Sequence, residues 1–107
     1  MAARLLILAQ CPHHLRPDEA ETWLRSELDE LPRDGVERVE LAPLASVSLR
    51  FGRHWDWLVE LHWASDAAAA RALEGPACLT LLGDLRLLGM RPSVAFVSER
   101  TDPDPGV

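Results

Sequence analysis

The chain contains no lysine, tyrosine or asparagine, only two cysteines, and no apolar run long enough to cross a bilayer. Each absence removes a class of reading. With no lysine, every basic residue is an arginine, which is consistent with a GC-rich coding bias and carries no mechanism by itself. No stretch gathers those arginines into a strip that could follow phosphates, and the net charge is −6, so nucleic acid is not an expected partner. The apolar stretch from Met1 to Cys11 is too short to span a membrane and lacks a small-residue cleavage site after it. It reads as a buried strand, and no membrane partner is expected. Cys11 and Cys78, with no secretory signal before them, read as reduced thiols in a cytoplasmic protein. The glycine-rich phosphate loop, the Cys-x-x-Cys and His-x-x-x-His spacings and a supported Ser/His/Asp order are also missing, so neither a cofactor nor a metal is expected.

What is present is enough to fold by hydrophobic burial. Of 107 residues, 48% are hydrophobic and four are tryptophan, which excludes a disordered chain and supports one domain over residues 1–100. Residues 101–107, with two prolines and two aspartates, read as a disordered tail.

Leu5-Leu6-Ile7-Leu8-Ala9 is continuously apolar and closed by Pro12, the pattern of a central strand covered on both faces. Pro17, Asp18 and Glu19 suit the first turn of a helix, and Ala20, Trp23, Leu24, Leu28 and Leu31 then recur at helical spacing until Pro32. From Val39 the period changes to two: Val39, Leu41, Pro43, Ala45, Val47, Leu49 and Phe51 on one face, with Arg38, Glu40, Ser46, Ser48 and Arg50 among the residues of the other. Pro43 cannot donate to a ladder, so this strand lies at an edge or breaks there. After Gly52 the alternation resumes, with Trp55, Trp57, Val59, Leu61 and Trp63 opposed to His54, Asp56, Leu58, Glu60 and His62.

These two stretches form a hairpin. Both apolar sets are odd-numbered and cross-strand partners share a face, so paired positions sum to an even number and the loop holds an odd count of residues. A three-residue loop at Gly52 makes that sum 106, setting Leu49 opposite Trp57, Val47 opposite Val59 and Arg50 beside Asp56. Ser65 and Asp66 then cap a helix that Gly75-Pro76 interrupts, a second helical stretch runs over 77–88 to Gly89, and residues 93–97 form a last apolar strand.

The order βαββαβ is the split-βαβ, ferredoxin-like arrangement: an α+β fold with one antiparallel sheet backed by two helices, the second interrupted. Helices on one side leave the other face bare, yet the first and last strands are apolar on both. A homodimer that packs sheet on sheet supplies the cover.

With this element order, and with Asp66-Ala67-Ala68-Ala69-Ala70-Arg71-Ala72-Leu73-Glu74-Gly75-Pro76 running into Leu81-Leu82-Gly83-Asp84-Leu85, the chain resembles the dimeric α+β barrel superfamily. That group includes EthD-like proteins, Dabb proteins and antibiotic-biosynthesis monooxygenases. The resemblance implies a two-fold barrel that often encloses a pocket, and chemistries from cofactor-free oxygenation and isomerisation to none established. Haem degradation is discounted, because haem-degrading members carry a ligand histidine on the second helix and residues 66–88 contain none.

His54, Asp56, Glu60 and His62 share one strand face, next-but-one neighbours being about 7 Å apart. In a barrel that face lines the pocket; otherwise it is wetted by solvent. Within the enzyme reading His62 is the base and Glu60 its orienting partner, acting on an apolar organic substrate with an acidic carbon. Leu58 and Arg50 join the lining, and His13 can border the mouth. The alternative is a non-catalytic dimeric binding or structural module. Cys11, His13, His14 and His62 lack the spacing of a metal site. Trp55, Trp57 and Trp63, with Trp23 on the first helix, are read as packing residues under the helices.

Overall fold

Alternation decides the sheet and 3.6-residue spacing decides what covers it. The computed structural model describes residues 2–33, 35–44 and 55–98. Its elements in chain order are β1 (Ala3–Ala9), α1 (Pro17–Glu30), β2 (Val36–Pro43), β3 (Trp57–Trp63), α2 (Asp66–Glu74), α3 (Pro76–Leu88) and β4 (Ser93–Ser98). The four strands form one sheet in the order β2-β3-β1-β4, with every neighbouring pair antiparallel. This is the ferredoxin-like arrangement, with β1 and β3 inside and β2 and β4 at the edges.

Local chemistry sets each helix end. Pro17 opens α1 with Asp18 and Glu19 in the first turn, and the Leu31 amide closes it on the Leu28 carbonyl just before Pro32. The Ser65 hydroxyl accepts from the Ala68 amide at 3.1 Å, capping α2. Gly75 and Pro76 split the second helical stretch into α2 and α3. The latter ends at Gly89, whose φ of 98° is a left-handed conformation that glycine adopts without a Cβ penalty.

The odd-numbered residues of the inner strands are buried against these helices: Ala3, Leu5, Ile7 and Ala9 on β1, and Trp57, Val59, Leu61 and Trp63 on β3. Leu24 and Leu28 of α1, Ala69 and Ala72 of α2, and Leu81 and Leu85 of α3 complete the core. The Trp57 indole donates to Glu21 Oε1 at 3.0 Å, so its polar edge is satisfied inside an apolar layer. Trp23 packs half-buried against the same core, and these tryptophans act as packing residues.

Two expectations about the strands change. The β2–β3 register sums to 100 rather than 106: Leu41, not Val47, faces Val59, and Pro43, not Leu49, faces Trp57. The parity is as expected, but β2 begins at Val36 and its assigned strand runs to Pro43, on an edge of the sheet where a residue without an N–H is tolerated. One further backbone bond, Leu44 amide to Asp56 carbonyl at 2.8 Å, extends the pairing. Residues 45–54, with the Gly52 loop, Arg50 and His54, lie outside the described residues, as does the tail at 101–107. The second change concerns cover. Within one chain β1 is buried on its odd face only, Leu6 and Leu8 being half-buried, and on the edge strand β4 Val94 and Phe96 are 41% and 46% exposed. Phe96 pairs with Leu5 and therefore points to the helix side, not to the open face.

Candidate functional site

On the face without helices, the even positions of three strands bring charged side chains together. Register places Arg4 of β1 opposite His62 of β3, Arg38 of β2 opposite His62 on its other side, and Glu40 of β2 opposite Glu60. Cross-strand partners lie on one face, so these five residues form a single ionic cluster. Leu6, Leu8 and Leu58 continue the same face towards the other end of the sheet and give it an apolar half.

Within the cluster, Arg4 Nη1 meets Glu60 Oε1 at 3.3 Å and Arg38 Nε meets Glu40 Oε1 at 2.8 Å. Arg38 Nη2 also lies 3.4 Å from His62 Nδ1. Arginine offers only donors, so this contact is a hydrogen bond only in the tautomer whose ring proton sits on Nε2. That nitrogen is 3.8 Å from Glu40 Oε2 and 4.0 Å from Glu60 Oε2, too far for a direct hydrogen bond to either. His62 Nε2 and Arg4 Nε are both buried and without a partner.

Glu40, Glu60 and His62 offer ligand atoms within 4.8 Å of one another, the donor set of a divalent cation. The geometry opposes that use. At a bond length of about 2.1 Å, separations of 3.8 and 4.0 Å demand angles of roughly 130–145° at the metal. Binding at Nε2 would also move the ring proton to Nδ1, against the Arg38 donor, and both carboxylates are already neutralised by arginines.

The other expected site residues are dispersed. Asp56 sits beyond the start of β3, where its carboxylate accepts from the Cys11 amide at 2.6 Å and its own amide donates to the Ala9 carbonyl at 2.9 Å. It ties the end of β1 to β3. His13 is exposed past that same end of β1, whereas His62 pairs with Arg4 at the beginning, so a strand's length separates them. Burial, and then the charge of Asp56, raise the Cys11 thiol above its usual range, which disfavours the thiolate. A groove of about 530 Å³ between α1 and α3, lined in part by Glu27, Glu30, Leu31, Thr80 and Asp84, includes none of these residues.

Glu40, Arg38 and Arg4 were not singled out from sequence. The even-sum rule needed only the register sum of 100 to place Glu40 against Glu60, and the short-loop assumption displaced it by six. Arg4 was hidden because β1 reads as apolar from Leu5 onward.

No protein-family model matches the sequence, and no curated protein matches it. Solved structures do. An EthD-family protein from Bacillus halodurans superposes with a TM-score of 0.66 at 10% identity, over 94% of this chain and 100% of its own. The fold is ferredoxin-like. SnoaB, a cofactor-independent oxygenase from Streptomyces nogalater, matches at 0.60 and 19% identity over 92% of this chain and 93% of its own. A Dabb-family protein from Mesorhizobium loti matches at 0.63 and 14% over 92% and 97%. Further ferredoxin-like matches are described as dimeric and of unknown function. The shared fold thus hosts one described oxygenase and several proteins with no known activity, and it does not choose between them.

Proposed function

We propose that the protein is a homodimer whose open sheet faces pack on each other and enclose a pocket for a small apolar organic ligand, with His62 and Glu60 on its wall. The observation that carries this reading is the open face itself: a partly buried ionic cluster bordered by Leu6, Leu8 and Leu58, with no helix over any of them among the described residues. Pressing that face against another sheet buries the leucines, each contributing up to about 1.5–3 kcal/mol when fully covered. The charged groups then need partners or a cavity, because an unpaired buried polar group costs roughly 1–3 kcal/mol. Within this pocket His62 and Glu60 handle a proton of the ligand, as cofactor-free oxygenation or isomerisation of an acidic substrate requires. The structural alternative draws on the Arg4–Glu60 and Arg38–Glu40 pairs, which satisfy much of the cluster without a ligand.

Light scattering at micromolar concentration, with mass spectrometry of small molecules released on denaturation, tests the reading. A dimer that releases an apolar compound, and a folded His62→Ala dimer that no longer retains it, are the expected results. A strictly monomeric mass ends the pocket proposal. Unchanged retention by His62→Ala leaves the non-catalytic module.

A further inference from the structure

The ionic cluster on the open sheet face is charge-balanced, and a single proton upsets the balance. Arg4 meets Glu60 at 3.3 Å and Arg38 meets Glu40 at 2.8 Å, so two guanidiniums offset two carboxylates. His62 lies among all four, with Arg4 on β1, Arg38 and Glu40 on β2 and Glu60 beside it on β3; the helices pack on the other face. Of these side-chain types, imidazole is the one whose charge ordinarily changes between about pH 5 and 8. We infer that His62 is a proton-operated switch on self-association: the neutral ring lets two open faces pack together, and the protonated ring opposes it. This rests on the homodimer reading above and adds its regulation.

Charge gives the switch its direction. In one chain Arg38, Glu40 and Arg4 reach water with side chains 62%, 44% and 38% exposed, and that water disperses an added charge. A second sheet laid over the face removes the water, and an excess charge in a covered interface is costly unless a counter-charge meets it. A two-fold dimer presents the same patch from both sides, so it brings a second excess positive charge instead. Hydrogen bonding acts in the same direction. His62 Nδ1 lies 3.4 Å from Arg38 Nη2, a contact that only an unprotonated nitrogen accepts. A protonated ring donates from both nitrogens, which sets donor against donor and displaces Arg38. Glu40 and Glu60 attract a protonated Nε2 from 3.8 and 4.0 Å, but each already holds an arginine, and three cations then share two carboxylates.

Sedimentation equilibrium at constant ionic strength, from about pH 8 to about pH 5.5, tests this. The dimer dissociation constant should rise about tenfold or more on acidification, because each protomer binds its proton more readily when free. Dilution calorimetry near the middle of that range, in two buffers of different ionisation enthalpy, should show protons taken up on dissociation. His62→Gln, folded by circular dichroism, should stay dimeric and lose most of the pH dependence, whereas His13→Gln and His14→Gln should keep it. A dimer whose dissociation constant ignores pH or falls on acidification overturns the switch, as does dissociation without proton uptake or a folded His62→Gln dimer with the full dependence. Those results leave the dimer standing. A monomer at every pH overturns both proposals.

Discussion

On β1, Leu5 and Ile7 are 2% and 0% exposed under the helices, while Leu6 and Leu8, one residue along, are only half-buried. The same strand thus presents one finished surface and one unfinished surface, and β3 repeats the contrast with Val59 and Leu61 against Leu58, Glu60 and His62. The finished face is apolar apart from two indole N–H groups, that of Trp57 bonded to Glu21 and that of Trp63 without a partner, and its residues act through volume and burial. The other mixes leucines with paired charges and orphaned donors, a combination that costs free energy unless something further is bound there.

The sharpest way to break that comparison is to truncate neighbouring residues on opposite faces. Ile7→Ala should lose about 2–5 kcal/mol of unfolding free energy in urea, because it opens a cavity in a packed layer. Leu6→Ala should lose only about 1 kcal/mol in dilute solution, with a penalty that grows as protein concentration rises and dimers form. Equal, concentration-independent losses would show that the faces do not differ in this way.

The outer side of the helix layer sharpens the same contrast. Gly83 lies inside α3, and a Cβ built there meets nothing within 4 Å. Gly83→Ala should therefore stabilise the fold by about 0.5–1 kcal/mol, read as a Tm rise of a few degrees. A loss instead would mean that another surface approaches α3 closely.

The smallest effect is expected at the groove between α1 and α3. Burial first, then the charge and hydrogen bond of Asp84 and the charge of Glu30, hold the Glu27 carboxyl above its usual range. A raised acid favours the folded state in its protonated form, so its contribution is present at low pH and is lost as pH rises through the folded-state value. Glu27→Gln should stabilise by a few tenths of a kcal/mol at pH 7, a gain that vanishes below the ordinary carboxylate range. A gain that persists at low pH would point to packing rather than charge.

Much of the architecture was legible before any coordinates. Helical spacing from Ala20 to Leu28, the Ser65 cap, the Gly75-Pro76 break and the odd-position alternation from Trp57 to Trp63 are local signals, and local sterics and hydrogen bonding suffice to produce them. The candidate site was legible only in part. Glu60 and His62 stand out on one strand, whereas Asp56 looks equivalent by parity and is instead drawn to the Cys11 amide.

The sequence by itself determined the βαββαβ order, the helix boundaries and which face of each strand is apolar, because side-chain alternation and helix capping depend on near neighbours in the chain. Only the tertiary structure decided the register that sets Arg38 and Glu40 beside His62 and Glu60. Pairing strands across a connection of unspecified length is a long-range choice. Parity restricts it to every second position but does not select among them.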